Sequence, residues 1–199
     1  MDPANLPCDI QLADGRRIHF RPMVADDVAG MLAFFRGLPL EDRQYLRNDV
    51  TREDVVQRFV TDEFHDDLLA IVVEADGRIV GSGTLQRERY GWMTHVGEIR
   101  LVIAHEFQRQ GVGAALIRIL LRQAMACGIE KAVAAVMDGH LAAMRAMERL
   151  GFHKEAVLLR HVKDVQGNRH DLVYYTDDVS HVWDRMEALM ADYSPTLGG

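Results

Sequence analysis

The sequence predicts a mixed α/β fold, built on a mostly antiparallel sheet that is flanked by helices. Three patterns predict it: hairpin-like pairs of apolar segments near both ends, a strand–helix–strand crossover in the middle, and helical spacing of apolar residues between them. The chain has 199 residues, of which 48% are hydrophobic and 27% charged. These values fit one globular domain with a hydrophobic core.

The first third of the chain predicts a hairpin followed by helices. Residues 11–22 alternate apolar and polar side chains around an Asp-Gly turn, which favours a hairpin-like start. Residues 26–37 carry apolar side chains at helical spacing, and Pro39 ends that helix. Residues 51–60 predict a second helix, with Thr51 as its N-cap.

The rest of the chain alternates strand and helix patterns. Turn signals at Asp76-Gly77 and residues 165–168 predict hairpins, and Gly128 and Gly151 mark the ends of helices. The elements predicted in this part are strands at residues 68–74, 78–86, 96–104, 131–137, 152–162 and 169–176, and helices at residues 112–127, 141–150 and 179–193.

Charge and composition narrow the classes of partner. The net charge is −7, which disfavours nucleic acid and anionic membranes because both require clustered Lys and Arg. It is compatible with a cationic substrate such as an amine. We expect no signal peptide and no membrane span, and the two cysteines, Cys8 and Cys127, favour a reducing cytoplasm.

A metal site is not expected. His105-Glu106 begins like the zinc motif HExxH, but position 109 is Arg, so the second histidine ligand is missing.

A loop with two glycines is the strongest local motif. The segment QRQGVG, residues 108–113, lies between an apolar strand and an amphipathic helix. The first N–H groups of a helix lack intrahelical partners and carry the positive end of its dipole, so they bind anions. Gly111 and Gly113 remove Cβ atoms and would let a phosphate approach the main chain. The P-loop and dinucleotide-binding patterns do not match here.

The order of elements, the string QRQGVGAAL and the later string RAMERLGF resemble the GNAT N-acetyltransferases. The resemblance implies a GNAT domain over residues 16–176, with a central mixed, mostly antiparallel, twisted sheet of about six to seven strands. Residues 1–15 would form an N-terminal extension, and residues 177–199 a C-terminal helix and tail. A narrower similarity is to the acetyltransferase domain of bacterial protein-lysine acetyltransferases, carried by ADGRRIHFRPMVADDVAGMLAFFRGL and by Glu98, ten positions before Gln108.

The resemblance implies acetyl-CoA as cosubstrate. Backbone N–H groups of the glycine loop would face its diphosphate, and the strand before the loop would pair with pantetheine through its main chain. His140 falls where the family places a polar contact to CoA. The predicted cofactor-binding residues are Leu101, Val102, Ile103, Gln108, Arg109, Gln110, Gly111, Val112, Gly113, Ala114 and His140.

Glu98 is the predicted general base, since an ammonium must lose a proton before its nitrogen can attack. Partial burial in an apolar strand would raise its pKa and strengthen it as a base. The alternative is a structural ion pair with Arg100 on the same strand face, which would lower the pKa and weaken the base. The tyrosine that many GNAT enzymes use as general acid is replaced by Met147, which we expect to be a core residue.

Three functions remain open from the sequence. The protein could acetylate a protein lysine, acetylate a small-molecule amine, or bind acyl-CoA as a regulatory module without turnover. A protein acceptor requires an open groove, whereas a small amine requires a closed pocket. Residues 38–60 would form the wall of this acceptor site. The oligomeric state also stays open, with a homodimer as one option.

Overall fold

A computed structural model of the protein describes residues 6–61 and 67–191. Its centre is one eight-stranded sheet in the order β1-β2-β3-β4-β5-β6-β8-β7. The strands are β1 (Cys8–Gln11), β2 (Arg17–Pro22), β3 (Leu68–Ala75), β4 (Arg78–Arg87), β5 (Val96–Ile103), β6 (Lys131–Met137), β7 (His153–Lys163) and β8 (Arg169–Asp178). The helices are α1 (Val28–Gly37), α2 (Leu40–Arg43), α3 (Glu53–Thr61), α4 (Val112–Ala126), α5 (Leu141–Arg149) and α6 (Val179–Ala191).

The predicted mixed fold is confirmed, with one quantitative correction. The sheet has eight strands among the described residues rather than six to seven. The additional strand is β1, which pairs with β2 from Cys8 opposite Phe20 to Gln11 opposite Arg17. It lies inside the segment predicted as an N-terminal extension. Residues 1–5 and 192–199, including the end of the predicted last helix and its tail, lie outside the described residues.

One predicted helix start is wrong. Helix α3 begins at Glu53, and the carbonyl of Arg52 accepts the first helical hydrogen bond from Val56 N–H. Thr51 is therefore not the N-cap. Its hydroxyl and its N–H both donate to the carboxylate of Asp49, because a short acidic side chain two residues upstream satisfies them in a local turn.

Helices pack closely on the sheet because apolar stripes meet small residues on the strands. A Cβ at Gly83 on β4 would lie 2.8 Å from Leu116 of α4, so only glycine allows α4 this approach. Leu116, Leu120 and Leu121 of α4 are fully buried. Helix α6 packs on α4, and α1 packs on β4 and α3. These contacts fix the start of α4 relative to the end of β5.

The sheet opens in its middle, between its only parallel pair of described strands. β5 and β6 are in register from Val96 opposite Lys131 to Glu98 opposite Val133, and the pairing then stops. Residues 99–103 of β5 and 134–137 of β6 do not pair with each other, although β5 stays paired with β4 and β6 with β8 along these stretches. The strands therefore diverge into a cleft that begins at Glu98.

Candidate active site

The glycine loop closes one end of this cleft and presents unpaired donors. No described residue accepts a hydrogen bond from the backbone N–H groups of residues 109–114, and the first helical bond runs from Ala115 N–H to Gly111 O. These groups stand at the N-terminus of a 15-residue helix, where its dipole adds positive potential. The loop therefore has the donors that an anionic group requires.

Backbone geometry explains the first glycine of this loop. Gly111 is the N-cap of α4 with φ of 88°, a left-handed conformation that side chains disfavour. A Cβ there would meet nothing within 4 Å, and one at Gly113 would make only an ordinary contact of 3.6 Å with Leu101. The space beside both glycines is thus left open by the protein itself, as the approach of a phosphate requires.

The two glutamine side chains hold the loop rather than face the cleft. Gln108 Nε2 donates to Ile103 O at 3.0 Å, and Gln110 Nε2 donates to Glu106 O at 2.6 Å. Gln110 Oε1 accepts from Arg16 Nη2 at 2.7 Å. Arg109 is exposed with φ of 57°, so its guanidinium is accessible to an anion at the loop.

Only part of the predicted pantetheine strand faces the cleft. Ala104 N–H donates to Val80 O on β4, and backbone groups of a strand alternate in direction. The N–H and C=O of Val102 therefore point toward Ser82 on β4, whereas those of Leu101 and Ile103 point toward the cleft. The main-chain role predicted for Val102 does not fit this alternation. Both main-chain groups of Leu101 fit the predicted role. Of those of Ile103 only the N–H is available, because its carbonyl accepts a hydrogen bond from Gln108.

Glu98 lies at the apex of the cleft, held by two arginines. Arg100 Nη2 donates to Glu98 Oε2 at 2.7 Å. Arg47 Nη2 donates to Oε1, and its Nη1 lies 3.4 Å from Oε2. The Glu98 side chain is 23% exposed, against 41% for Arg47 and 40% for Arg100. The two arginines therefore cover the carboxylate, which is less exposed than either of them.

The expected rise in the pKa of Glu98 is wrong. Burial does push the pKa of this carboxyl upward, but the hydrogen bonds and charges of Arg100 and Arg47 outweigh it, so the pKa lies below its ordinary value. The ion pair with Arg100 is present. Arg47 was missed because it lies 51 residues away in sequence, in a segment without a local motif.

The opposite wall of the cleft carries His140, which contacts Tyr45 from the connection between α2 and α3. The ring of Tyr45 stacks on that of His140, with centroids 4.2 Å apart and planes 4° from parallel. Tyr45 OH donates to Gly139 O at 3.2 Å. Burial lowers the pKa of His140, opposed by the nearby charge of Asp42, so the ring is neutral at pH 7. Met147 is buried in the core, as predicted.

The loop before β5 and the β8–α6 junction carry further exposed side chains. Tyr90 and Trp92, in the loop before β5, are 84% and 88% exposed. Asp177, Asp178 and His181 bring potential metal-ligand atoms within 4.8 Å of one another at the β8–α6 junction, where Asp177 already pairs with His153 and His181. The expectation of no metal stays a prediction. No helix in the described parts of the chain has the length and apolarity to span a membrane.

A cleft between diverging parallel strands, closed by a glycine loop at a helix N-terminus, defines an acyl-CoA-dependent acetyltransferase of the GNAT type. The model of the acetyltransferase (GNAT) family matches residues 26–152. The chain therefore belongs to this family, whose fold implies acetyl transfer from acetyl-CoA to an amine. No curated protein matches its sequence.

Solved structures agree on the fold. An acetyltransferase of the GNAT family from Streptococcus pneumoniae has a TM-score of 0.69 at 18% identity, covering 81% of this chain and 99% of that one. The GNAT domain of S. lividans PAT has a TM-score of 0.72 at 20% identity, with coverages of 89% and 99%. Mycobacterium smegmatis RimJ, in complex with CoA-disulfide, has a TM-score of 0.75 at 16% identity, with coverages of 92% and 94%.

Proposed function

We propose that this acetyltransferase transfers the acetyl group of acetyl-CoA to a primary amine, with Glu98 as general base. One observation supports this most directly: the unpaired edge of β5 connects the donors at residues 109–114 with the carboxylate of Glu98. The donors suit a diphosphate, the strand edge suits an extended amide chain, and the carboxylate suits a proton acceptor.

The chain offers main-chain groups along the whole length of such a ligand. Residues 109–114 would bind the diphosphate, with Arg109 adding a charge-assisted contact. Leu101, and the N–H of Ile103, would bind pantetheine as an added strand does. When bound, acetyl-CoA supplies a thioester whose carbonyl carbon bonds to the amine nitrogen while the carbon–sulfur bond breaks and CoA leaves as a thiolate.

Glu98 would take the proton that the ammonium must lose. Its lowered pKa keeps the carboxyl ionised at neutral pH, so the base form is present before the acceptor binds. The arginine pairs reduce its basicity, and release of Arg47 would restore part of it, while the stronger effect of Arg100 would remain. Met147 has no proton to donate and is buried, so the thiolate would leave unassisted or take a proton from water.

The acceptor is a protein lysine or a small amine, and an acceptor screen separates them. We would incubate the protein with labelled acetyl-CoA and either a panel of amines or a cell lysate. Label in a protein band supports a protein acceptor, and label in one amine supports a small acceptor. A parallel melting experiment reports binding, because a ligand that binds the folded state raises the melting temperature.

The two readouts distinguish the open functions. A melting shift with acetyl-CoA but no transfer to any acceptor would favour an acyl-CoA-binding module over an enzyme. Absence of a shift at saturating acetyl-CoA would contradict the proposed cleft altogether.

A further inference from the structure

The charges at the apex of the cleft have the wrong sign for a simple amine. The protein carries a net charge of −7, which favours cationic partners over the surface as a whole. At Glu98 the balance reverses, because one carboxylate accepts hydrogen bonds from two guanidinium groups. The charges that act on this carboxylate most strongly are those of Arg100 and Arg47. An approaching ammonium therefore meets two cations around one anion.

We propose that Arg47 and Arg100 form an anion subsite beside Glu98, so that the preferred acceptor is an amine with a carboxylate or phosphate close to it. This inference rests on the proposed function, since it describes the acceptor of that reaction. The negative charge of the acidic group would pair with the two arginines, which an ammonium alone cannot do. Its binding would also draw Arg47 away from Glu98.

The two arginines have donors left for such a group. A guanidinium has N–H donors on three nitrogens, and Arg100 uses only Nη2 for Glu98. Its Nε is buried with no hydrogen-bond partner among the described residues, and no described residue accepts from its Nη1. The buried Nε is out of reach of an arriving anion, so a carboxylate or phosphate would accept a charge-assisted hydrogen bond from the Nη1 of Arg100.

Arg47 is accessible to solvent and lies in a segment that is anchored across the cleft. Its side chain is 41% exposed, in the connection between α2 and α3. Two residues earlier, Tyr45 fixes the same segment to the opposite wall through His140 and Gly139. The backbone that carries Arg47 is thus tethered across the cleft, while its guanidinium faces both the base and the solvent from which an acceptor arrives.

The inference is tested with two matched sets of acceptors. The small amines are O-phosphoethanolamine, ethanolamine and ethylenediamine, which place a phosphate, a hydroxyl or a second amine beside the reacting nitrogen. The peptides have one lysine and blocked N-termini, with Asp, Ala or Arg as its neighbours. The first set detects a small acidic acceptor and the second an acidic peptide.

We expect kcat/KM to be highest for the acidic member of at least one set. In Arg47→Gln, the ratio of kcat/KM for the acidic acceptor to that for its neutral partner should fall at least about tenfold, the loss expected for a charge-assisted pair. Arg47→Lys should retain part of the preference, because it keeps the charge without the planar fork. The same ratio should be unchanged in Arg52→Gln, which removes an exposed arginine of the same segment that pairs with Asp54.

Three results would overturn the anion subsite. One is a preference for the neutral or cationic acceptors. Another is the same ratio of acidic to neutral kcat/KM in Arg47→Gln and Arg52→Gln. The third is faster turnover of every acceptor in Arg47→Gln, which would mean that Arg47 occupies the acceptor's position and blocks it. These three results leave acetyl transfer itself intact. Absence of transfer to any acceptor would instead overturn the proposed function and the subsite with it.

Discussion

The two halves of the cleft are built from different parts of the chain. The proposed cofactor half, residues 99–103 and 108–114, lies in one short stretch of the chain. Its donors and acceptors are main-chain groups that the fold leaves unpaired, at Leu101 on the open edge of β5 and at the N–H groups of residues 109–114. The acceptor half consists of the side chains of Glu98, Arg100, Arg47, Tyr45 and His140, which come from three separate segments. Main-chain groups tolerate substitution, whereas each side chain of the acceptor half can be replaced on its own.

This difference predicts where variation would change function. A change in the cofactor half that keeps the backbone path leaves its donors in place. A change in the acceptor half alters charge or reach at once, because its contacts are carried by side-chain atoms. We therefore expect acceptor choice to depend on residues 45–47 and acetyl-CoA binding on the glycine loop.

The largest effect is expected at Glu98. Glu98→Gln keeps the size of the side chain but removes the base, so kcat should fall by about 10²–10⁴, the range for loss of a general base. The acetyl-CoA-induced melting shift should persist, since the cofactor half is unchanged. Because the pKa of Glu98 lies below its ordinary value of 4.5, the wild-type carboxylate stays ionised on acidification, and the gap between the two proteins should persist to about pH 5.

Glu74 offers a matched control for this variant. Its side chain is 29% exposed, similar to that of Glu98, and it also pairs with an arginine, Arg21. Glu74→Gln should leave kcat within about twofold of wild type, because Glu74 lies on β3 beside β2 and not at the opening between β5 and β6. Equal turnover in Glu98→Gln and wild type would show that Glu98 is not the general base. Its pairs with the two arginines would then have a structural role.

The next effect tests the cofactor half through Gly111. Gly111→Ala places a Cβ in open space at φ of 88°, which costs about 1–2 kcal/mol of stability because the left-handed conformation disfavours side chains. The same Cβ would obstruct a phosphate, so acetyl-CoA affinity should fall about tenfold, equivalent to about 1.4 kcal/mol. Calorimetric titration with acetyl-CoA measures the affinity, and thermal unfolding measures the stability.

Gly167, in the β7–β8 turn, separates the two contributions. Its φ of 87° and the open space around its Cβ position match those of Gly111. Gly167→Ala should lose similar stability and bind acetyl-CoA as wild type does. If both variants bind acetyl-CoA equally well, the diphosphate does not lie against this glycine.

The contrast between the halves also explains what the sequence could predict. Strands, hairpins and the β–α–β crossover follow from periodicity and turn residues, and the motif QRQGVG identifies an anion site because its donors are local. Arg47 and Tyr45 carry no such signal, since their roles arise from tertiary contacts with residues 51 and 94 positions away in the sequence. The direction of the pKa shift of Glu98 does not follow from the sequence for the same reason, because it depends on Arg100 and Arg47 together.

A smaller effect is expected from Tyr45, which tests whether the segment is tethered across the cleft. Tyr45→Phe keeps the stacking on His140 and removes the hydrogen bond to Gly139 O. We expect the KM for the acceptor to rise about threefold, within the range for one neutral hydrogen bond, with acetyl-CoA affinity unchanged. Tyr90→Phe, at an 84% exposed position, is the control. A change in acetyl-CoA affinity instead would place Tyr45 in the cofactor half.

The smallest effect concerns an ionic support beneath the acceptor half. His170 on β8 pairs with Asp164 of the β7–β8 turn through Nε2 at 3.0 Å, and with Asp138, just after β6, through Nδ1 at 3.2 Å. The hydrogen bond to Asp164 and the charges of both carboxylates raise the pKa of His170, whereas hydrogen bonds from Asn168 and His170 hold the pKa of Asp164 below its ordinary range. The doubly paired state therefore requires a protonated ring and an ionised Asp164.

The pH dependence of stability follows from these directions. A histidine whose pKa is raised on folding stabilises the protein fully below its unfolded pKa of 6.5, and this contribution is lost as the pH rises through the raised value. The melting temperature of wild type should thus exceed that of His170→Gln by more at about pH 6 than at about pH 9. His161→Gln, which removes an exposed histidine of β7, is the control for loss of a histidine. The same difference in melting temperature between wild type and His170→Gln at both pH values would contradict this. It would mean that packing, rather than charge, connects the β7–β8 hairpin to the turn before His140.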